Sequence, residues 1–356
     1  MFVVLAAAIA FVAGWRWYEQ PLRLREERIE VRITPGASAR TIARALVGAG
    51  LDLNEDAFIA VAHATQATGT LRAGRYAIER GASLHDIIDK LRRGDVLRER
   101  ITIVEGWTYH DLRNALAATE DLKQDSAKLD DQALLRTIGI GEQQPEGLFA
   151  PDTYIFEPGS SDLEILRQAY RKQATALNDA WEKRAPNLPL KSPYEALILA
   201  SIVEKETGRS TERGRIAGVF INRLRKGMLL QTDPTVIYGL GERFDGNLRK
   251  KDLLTDGPYN TYTRAGLPPT PVALPGRAAL DATLNPEPTR ALYFVARGDG
   301  TSQFSETLGE HNREVGKWQL GGRKAAGDAN NGNDAGSSQI LPASGNAGDR
   351  NGKARP

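Results

Sequence analysis

The pattern Gly-x-Ser/Thr, then Ile/Leu and Leu four and eight residues after the hydroxyl residue, occurs three times in the first third of the chain. Gly36-Ala-Ser38 leads to Ile42 and Leu46, Gly81-Ala-Ser83 to Ile87 and Leu91, and Gly106-Trp-Thr108 to Leu112 and Leu116. A Ser or Thr side chain accepts from the backbone N–H groups left open at a helix start, and aliphatics at that spacing form one apolar stripe. Each copy follows a short alternating or β-branched segment, at 31–33, 76–78 and 101–104. The pattern therefore predicts strand–cap–helix modules. A further helix over 55–67, capped by Asn54, makes the stretch 31–95 read βααβα.

A second helix limits the chemistry. Ser192-Pro193 supplies a cap and a proline at the first helical position, and the run to Thr207 ends before Gly208. Counting back from Glu206, Val203, Ile202 and Leu199 lie three, four and seven residues away, which puts this acid on an apolar face. Desolvation raises the pKa of such a carboxyl group, and an acid protonated near neutral pH can serve as a general acid. Glu204 is the rival. It lies about 200° round the helix, over Leu197, Ala200 and Ser201, a less apolar face. The alternative reading is that both acids are solvated residues at a helix end beside Lys205. Ser210 is expected to cap a returning helix over 211–226, so that the acid sits at a corner.

Charge and cysteine usage exclude several classes. A net charge of +2 argues against a nucleic-acid binder. The absence of cysteine removes disulfides, thiolate nucleophiles and cysteine-ligated metal. The histidines, His63, His85, His110 and His311, show no metal-ligand spacing, so no metal or other cofactor is expected. His311 reads as a surface or capping residue.

Both ends differ from the middle. Residues 2–15 form an apolar run followed by Arg16, Trp17 and Tyr18. It is short for a membrane span, but the aromatics would extend it as an interfacial belt. A single-pass anchor over 1–19 is the expectation, with a cleaved signal peptide as the alternative. Residues 321–356 are rich in Gly, Asn, Ala, Ser and Asp, a composition expected to stay disordered. Between them the sequence divides into a module over 20–95, a connecting α+β region over 96–191 and a catalytic core over 192–320. The overall fold class expected is α+β.

The core continues with Leu230-Gln-Thr-Asp-Pro-Thr-Val-Ile-Tyr238, Tyr259-Asn-Thr-Tyr262 and Gly266-Leu-Pro-Pro269. These read as loops rich in aromatics and amides, with proline supports. Gln231, Asp233, Asn260 and Tyr262 are candidates to hold sugar hydroxyls. Asp233-Pro234 could equally be a turn or helix cap, and Tyr259 and Tyr262 core aromatics. Strands are expected over 292–296 and 302–305, joined by a Gly298-Asp-Gly300 turn, with a last helix over 310–318.

Taken in order, Ser201-Ile-Val-Glu-Lys-Glu-Thr207, Val219-Phe-Ile-Asn-Arg-Leu224 and the three core motifs resemble the MltG (YceG-like) family of endolytic murein transglycosylases. The stretch Glu146–Tyr154 resembles it as well, and residues 31–95 resemble a LysM-like wall-binding module, with a plain packing domain as the alternative. The resemblance covers about residues 1–320. It implies an inner-membrane enzyme with one span and a periplasmic catalytic part. Such an enzyme cleaves the MurNAc–GlcNAc bond of nascent glycan strands to give 1,6-anhydroMurNAc ends, terminating polymerisation near the wall synthases. The family's catalytic glutamate falls in the 192–207 helix, and the Glu206-Thr207 pair is similar to the Glu-Ser pair of other lytic transglycosylases, which favours Glu206. A hydrolytic muramidase using Asp233 or Glu204 as a second carboxylate, and a wall-binding scaffold without turnover, are the alternatives.

Overall fold

The three Gly-x-Ser/Thr signals are helix starts, as the spacing predicts. Ser38, Ser83 and Thr108 each accept from the backbone N–H three residues on, and Asp86 and Asp111 return the bond to complete capping boxes at the last two. The glycine ahead of each cap has φ between 76° and 94°, a conformation closed to most side chains. The computed structural model of this mixed α and β protein describes residue 12 and residues 14–141, 144–206 and 209–320. Most of the expected anchor (1–11 and 13), the Thr207-Gly208 helix end and the tail over 321–356 lie outside the described residues. Among those described, no helix is long and apolar enough to cross a membrane.

The chain divides into two units. The first holds the N-terminal region to Ile101 with 121–123 and 155–160. Its element order is β1 (Arg28–Ile33), α1 (Ala39–Gly48), α2 (Glu55–Ala64), β2 (Gly74–Glu79) and α3 (Leu84–Arg93). β1 and β2 pair antiparallel, with Val31 opposite Tyr76. Ile29, Val31 and Ile33 alternate inward along β1 and meet Ile42, Leu46, Phe58, Ile87 and Leu91 from the helices in one core.

The second unit continues from Thr102 with 102–120, 124–154 and residues from 161 on. Strands β3 (Glu99–Thr102) and β4 (Thr153–Phe156) lie where the chain passes from one unit to the other, and within the second unit β5 (Tyr293–Ala296) pairs with β6 (Ser302–Ser305). The β5–β6 turn is as expected, with Gly298 and Gly300 at positive φ. Helices α4 (Tyr109–Ala117) and α5 (Asp131–Thr137) precede the long α6 (Asp162–Glu182), which Ser161 caps. Then come α7 (Pro193–Glu206), α8 (Arg213–Arg225), α9 (Asp233–Leu240), α10 (Lys250–Leu254), α11 (Arg277–Leu284) and α12 (Leu308–Val315).

Helix α7 is the axis of this unit. Every residue from Ala196 to Val203 is buried, so it is enclosed on all sides by α6, α8, α9 and α11. The apolar residues beside Glu206 therefore do not form a distinct face: Leu197, Ala200 and Ser201, above Glu204, are buried as fully. Helix α8 packs directly on the 287–289 segment at Gly218, where an added Cβ would fall 2.7 Å from the Glu287 carbonyl oxygen. Ser210 opens a 3-10 turn over Ser210–Glu212 and makes no side-chain cap to α8, unlike its expected role. Helix α9 occupies a stretch read as loop: Pro234 sits in its first turn, where the missing N–H costs nothing.

Candidate active site

The corner at the end of α7 collects several polar side chains. Glu206 is partly buried, and its Oε1 accepts a short hydrogen bond from the Thr232 hydroxyl. Desolvation pushes its pKa up to about 8, and the neighbouring Asp233 charge adds to the rise. The Thr232 hydrogen bond and the positive charge of Arg223 act the other way. At neutral pH the carboxyl group is thus predominantly protonated.

Thr232 is held from three directions. Its N–H donates to Thr261 Oγ1 at 3.1 Å, the Gln231 N–H beside it to the Thr261 carbonyl at 3.1 Å, and Thr235 Oγ1 donates to the Thr232 carbonyl at 2.8 Å. Gln231 has φ of 50°, a left-handed backbone that stores strain in a side-chain-bearing residue. Its Oε1 accepts from Arg223 at 3.3 Å. Arg223 is buried, donates to the carbonyls of Leu229, Leu230 and Leu292, and lies 5.0 Å from the Tyr293 ring. It braces the 229–231 turn against α8 and leaves a fixed positive charge near the acid.

Asp233 begins α9, and its Oδ1 accepts from the Tyr262 hydroxyl at 2.7 Å. Burial raises its pKa while that hydrogen bond opposes the rise. Glu206, Gln231, Asp233 and Tyr262 thus come together as one polar group. Asn260 does not join it. Its amide nitrogen donates to the carbonyls of Asp252, Leu253 and Thr255, and its Oδ1 accepts the Tyr262 N–H, so its side chain holds the loop that presents Tyr262.

Two further acids of this unit are buried. Glu204 accepts from Arg213 at 3.2 Å and from the Gly276 N–H at 2.9 Å. Burial raises its pKa, with those two partners pulling it back. Lys205 donates to the Gly106 carbonyl. Glu146 accepts from the Tyr109 N–H at the start of α4 and from the Tyr238 hydroxyl at 3.1 Å, and desolvation pushes it up to about 7. His311, expected to be a surface or capping residue, is 2% exposed and stacks 5.2 Å from the Tyr293 ring. Among the described residues there is no group of acids and histidines arranged to hold a metal ion.

The YceG-like family matches residues 31–317, which include every residue of this corner. The chain belongs to the YceG-like family. A Bacillus subtilis protein named endolytic murein transglycosylase is 33% identical over 326 residues, covering 87% of this chain and 90% of that protein. Proteins of the same name from two Streptococcus pneumoniae strains are 27% identical over 321 residues, covering 81% of this chain and 58% of their own length. The crystal structure of a YceG-like protein from Listeria monocytogenes superposes with a TM-score of 0.53 at 31% identity, covering 81% of this chain and 98% of that one.

The residue that sequence reasoning missed is Thr232. Its signal was present: it lies between Gln231 and Asp233, both chosen as candidates, inside a motif the YceG-like match includes.

Proposed function

We propose that this YceG-like protein is an endolytic murein transglycosylase with Glu206 as its one acid–base group. The observation that carries the reading is a carboxyl group raised to about 8 at a partly open corner, in a chain similar over most of its length to proteins of that name. Protonated Glu206 donates to the glycosidic oxygen between MurNAc and GlcNAc, and the C1–O bond breaks as the leaving sugar takes that proton. The carboxylate so formed, steadied by the Thr232 hydroxyl, accepts the proton of the MurNAc C6 hydroxyl as its oxygen closes onto C1. The product is a 1,6-anhydro end; Glu206 regains its proton and no water is consumed. Asp233 and Tyr262 face the developing positive charge at C1 and the sugar hydroxyls, and Gln231 lines the same corner.

The β1-α1-α2-β2 order of the first unit, with its antiparallel β pair, supports the reading of that unit as a LysM-like wall-binding module. The apolar run before Arg16 supports a single membrane anchor with the rest in the periplasm, where newly made strands and their synthases meet. Purified full chain in detergent, incubated with uncrosslinked murein strands, tests the activity by product mass. Anhydro ends, one water lighter than hydrolysis products, are expected. Reducing ends instead would show hydrolysis, with Asp233 as the second carboxylate, and binding without cleavage would leave a scaffold.

A further inference from the structure

The cavity beside the acid is small. The space lined by Arg223, Gln231, Tyr262 and His311 is about 30 Å³, room for a water molecule, and Arg223 is already engaged by carbonyls. A far larger pocket, about 440 Å³, lies at the other end of α9. Its walls include Gly239, Arg243, Lys251, Asp252, Asp256 and Tyr259. From Asp233 to Leu240 α9 runs about 10 Å at 1.5 Å per residue, and the pocket's other wall, through Tyr259 and Asn260, continues into Tyr262. The pocket is therefore built on the same two elements that carry the acid's neighbours, one helix length away.

Its walls set Arg243 and Lys251 against Asp252 and Asp256, and the acids are the more engaged. Asp256 is held by Arg264 at 2.8 and 2.9 Å, and Asp252 accepts the Arg249 N–H at the start of α10. Arg243 uses only its Nε, on the Leu240 carbonyl at 3.4 Å, and neither it nor Lys251 forms an ion pair among the described residues. A second pocket, about 190 Å³, adjoins it through Arg243 and Lys251 and adds Asn247 and Arg249. With Asp256 paired to Arg264, the groups without an ion-pair partner among the described residues are Arg243, Lys251 and Asp252, an excess of one positive charge, with the Tyr259 ring beside them.

Resting on the proposed function, we infer that this pocket binds a carboxylate of the peptide that murein carries on its lactyl group. The sugar backbone of the strand is uncharged, so a glycan cleft has no use for two unpaired cations. The peptide ends in carboxylates, and a forked guanidinium with an ammonium is the pair that recognises them. The pocket volume suits a few residues of peptide and not a whole strand. Placed one helix length from the acid, it would select where along a strand cleavage falls.

The test uses the full chain in detergent and two probes: uncrosslinked murein strands bearing peptides, and the same strands stripped of peptide by an amidase, with the lactyl carboxylates this exposes capped as methylamides. The wild type is expected to bind and cleave the peptide-bearing strands better. In the double variant Arg243→Ala, Lys251→Ala, KM for peptide-bearing strands rises about tenfold, as for loss of a hydrogen bond to a charged group. Its kcat stays within about twofold, and stripped strands show no change. Both side chains are exposed, so an unchanged melting temperature confirms the fold. Equal KM values for wild type and variant on peptide-bearing strands would overturn the inference, as would an equal loss on both probes. If the wild type cleaves neither probe, the proposed function falls, and the wild-type and variant affinities for the two probes, by calorimetry, still decide the pocket.

Discussion

The Glu206 corner and the Glu146 loop, both in the second unit, hold glutamates that desolvation raises to about 8 and about 7. Their surroundings differ in what is left over. Glu146 is 5% exposed, and its oxygens accept from the Tyr109 N–H and the Tyr238 hydroxyl. It also faces the positive end of α4. Among the described residues, Glu206 accepts one side-chain hydrogen bond, from Thr232, and the residue is partly exposed although its carboxyl group is strongly desolvated. A raised pKa is therefore no mark of a catalyst by itself. An acid that is raised, reachable and not fully engaged can exchange a proton with a substrate; one enclosed by donors ties a loop to a helix.

The largest effect should separate the two directly. Glu206→Gln is expected to lower the cleavage rate by about 10³-fold, within the range for loss of a general acid–base, while Glu146→Gln stays within a few-fold per folded molecule. Turnover on uncrosslinked strands checks both, and an inactive Glu146→Gln beside an active Glu206→Gln would reverse the comparison.

Glu146 should appear instead in stability. Its folded pKa, about 7, is above the unfolded value of 4.5. Between these pH values the unfolded chain has released the proton and the folded chain has not, so stability falls as pH rises through that window. The gap corresponds to about 3 kcal/mol at full burial. Denaturant melts from pH 4 to 8 should show a flatter profile for Glu146→Gln than for wild type. Parallel profiles would mean that the loop carboxylate is not desolvated.

Much of this was legible in local signals, and what was not depended on distant partners. Ser38, Asn54, Ser83 and Thr108 cap helices because capping needs only the next three residues. The start of α7 at Pro193 follows for the same reason. Helix α9 was hidden because Pro234 and Gly239 in an eight-residue helix look like loop, and the enclosing α-helices, not propensity, hold it. The Thr232 hydroxyl reaches an acid 26 residues away, a contact that no spacing shows. Asn260 was read as a sugar ligand on residue type, yet its position before a turn lets it bind the backbone carbonyls around it. The choice of Glu206 over Glu204 was argued from helix faces. With α7 buried all round, the distinction rests on partners: Glu204 has Arg213 and Gly276, and Glu206 has a hydroxyl.

That distinction has its own test on the same helix. Glu204→Gln leaves the largely enclosed Arg213 without its anion, and among the described residues Arg213 Nε already has no partner. A loss of about 2 kcal/mol is expected, read as a lower denaturation midpoint, with turnover per folded molecule little changed. Full stability with lost turnover would assign Glu204 to the chemistry.

The smallest effect is the most specific to the corner. The Thr232 hydroxyl stabilises the Glu206 anion, so its removal in Thr232→Val should raise the pKa of the acid further. The reaction needs Glu206 protonated at the start, so the wild-type rate is expected to fall as pH rises through about 8. In Thr232→Val that alkaline limb should move to higher pH. The maximal rate should drop only about tenfold, the size of one hydrogen bond made to the carboxylate after proton transfer. Valine keeps the β-branched shape, so the 229–231 turn is retained and the melting temperature should change little. A limb that moves to lower pH, or does not move, would mean that Thr232 only packs the corner. The contrast with Glu146 would then rest on exposure alone.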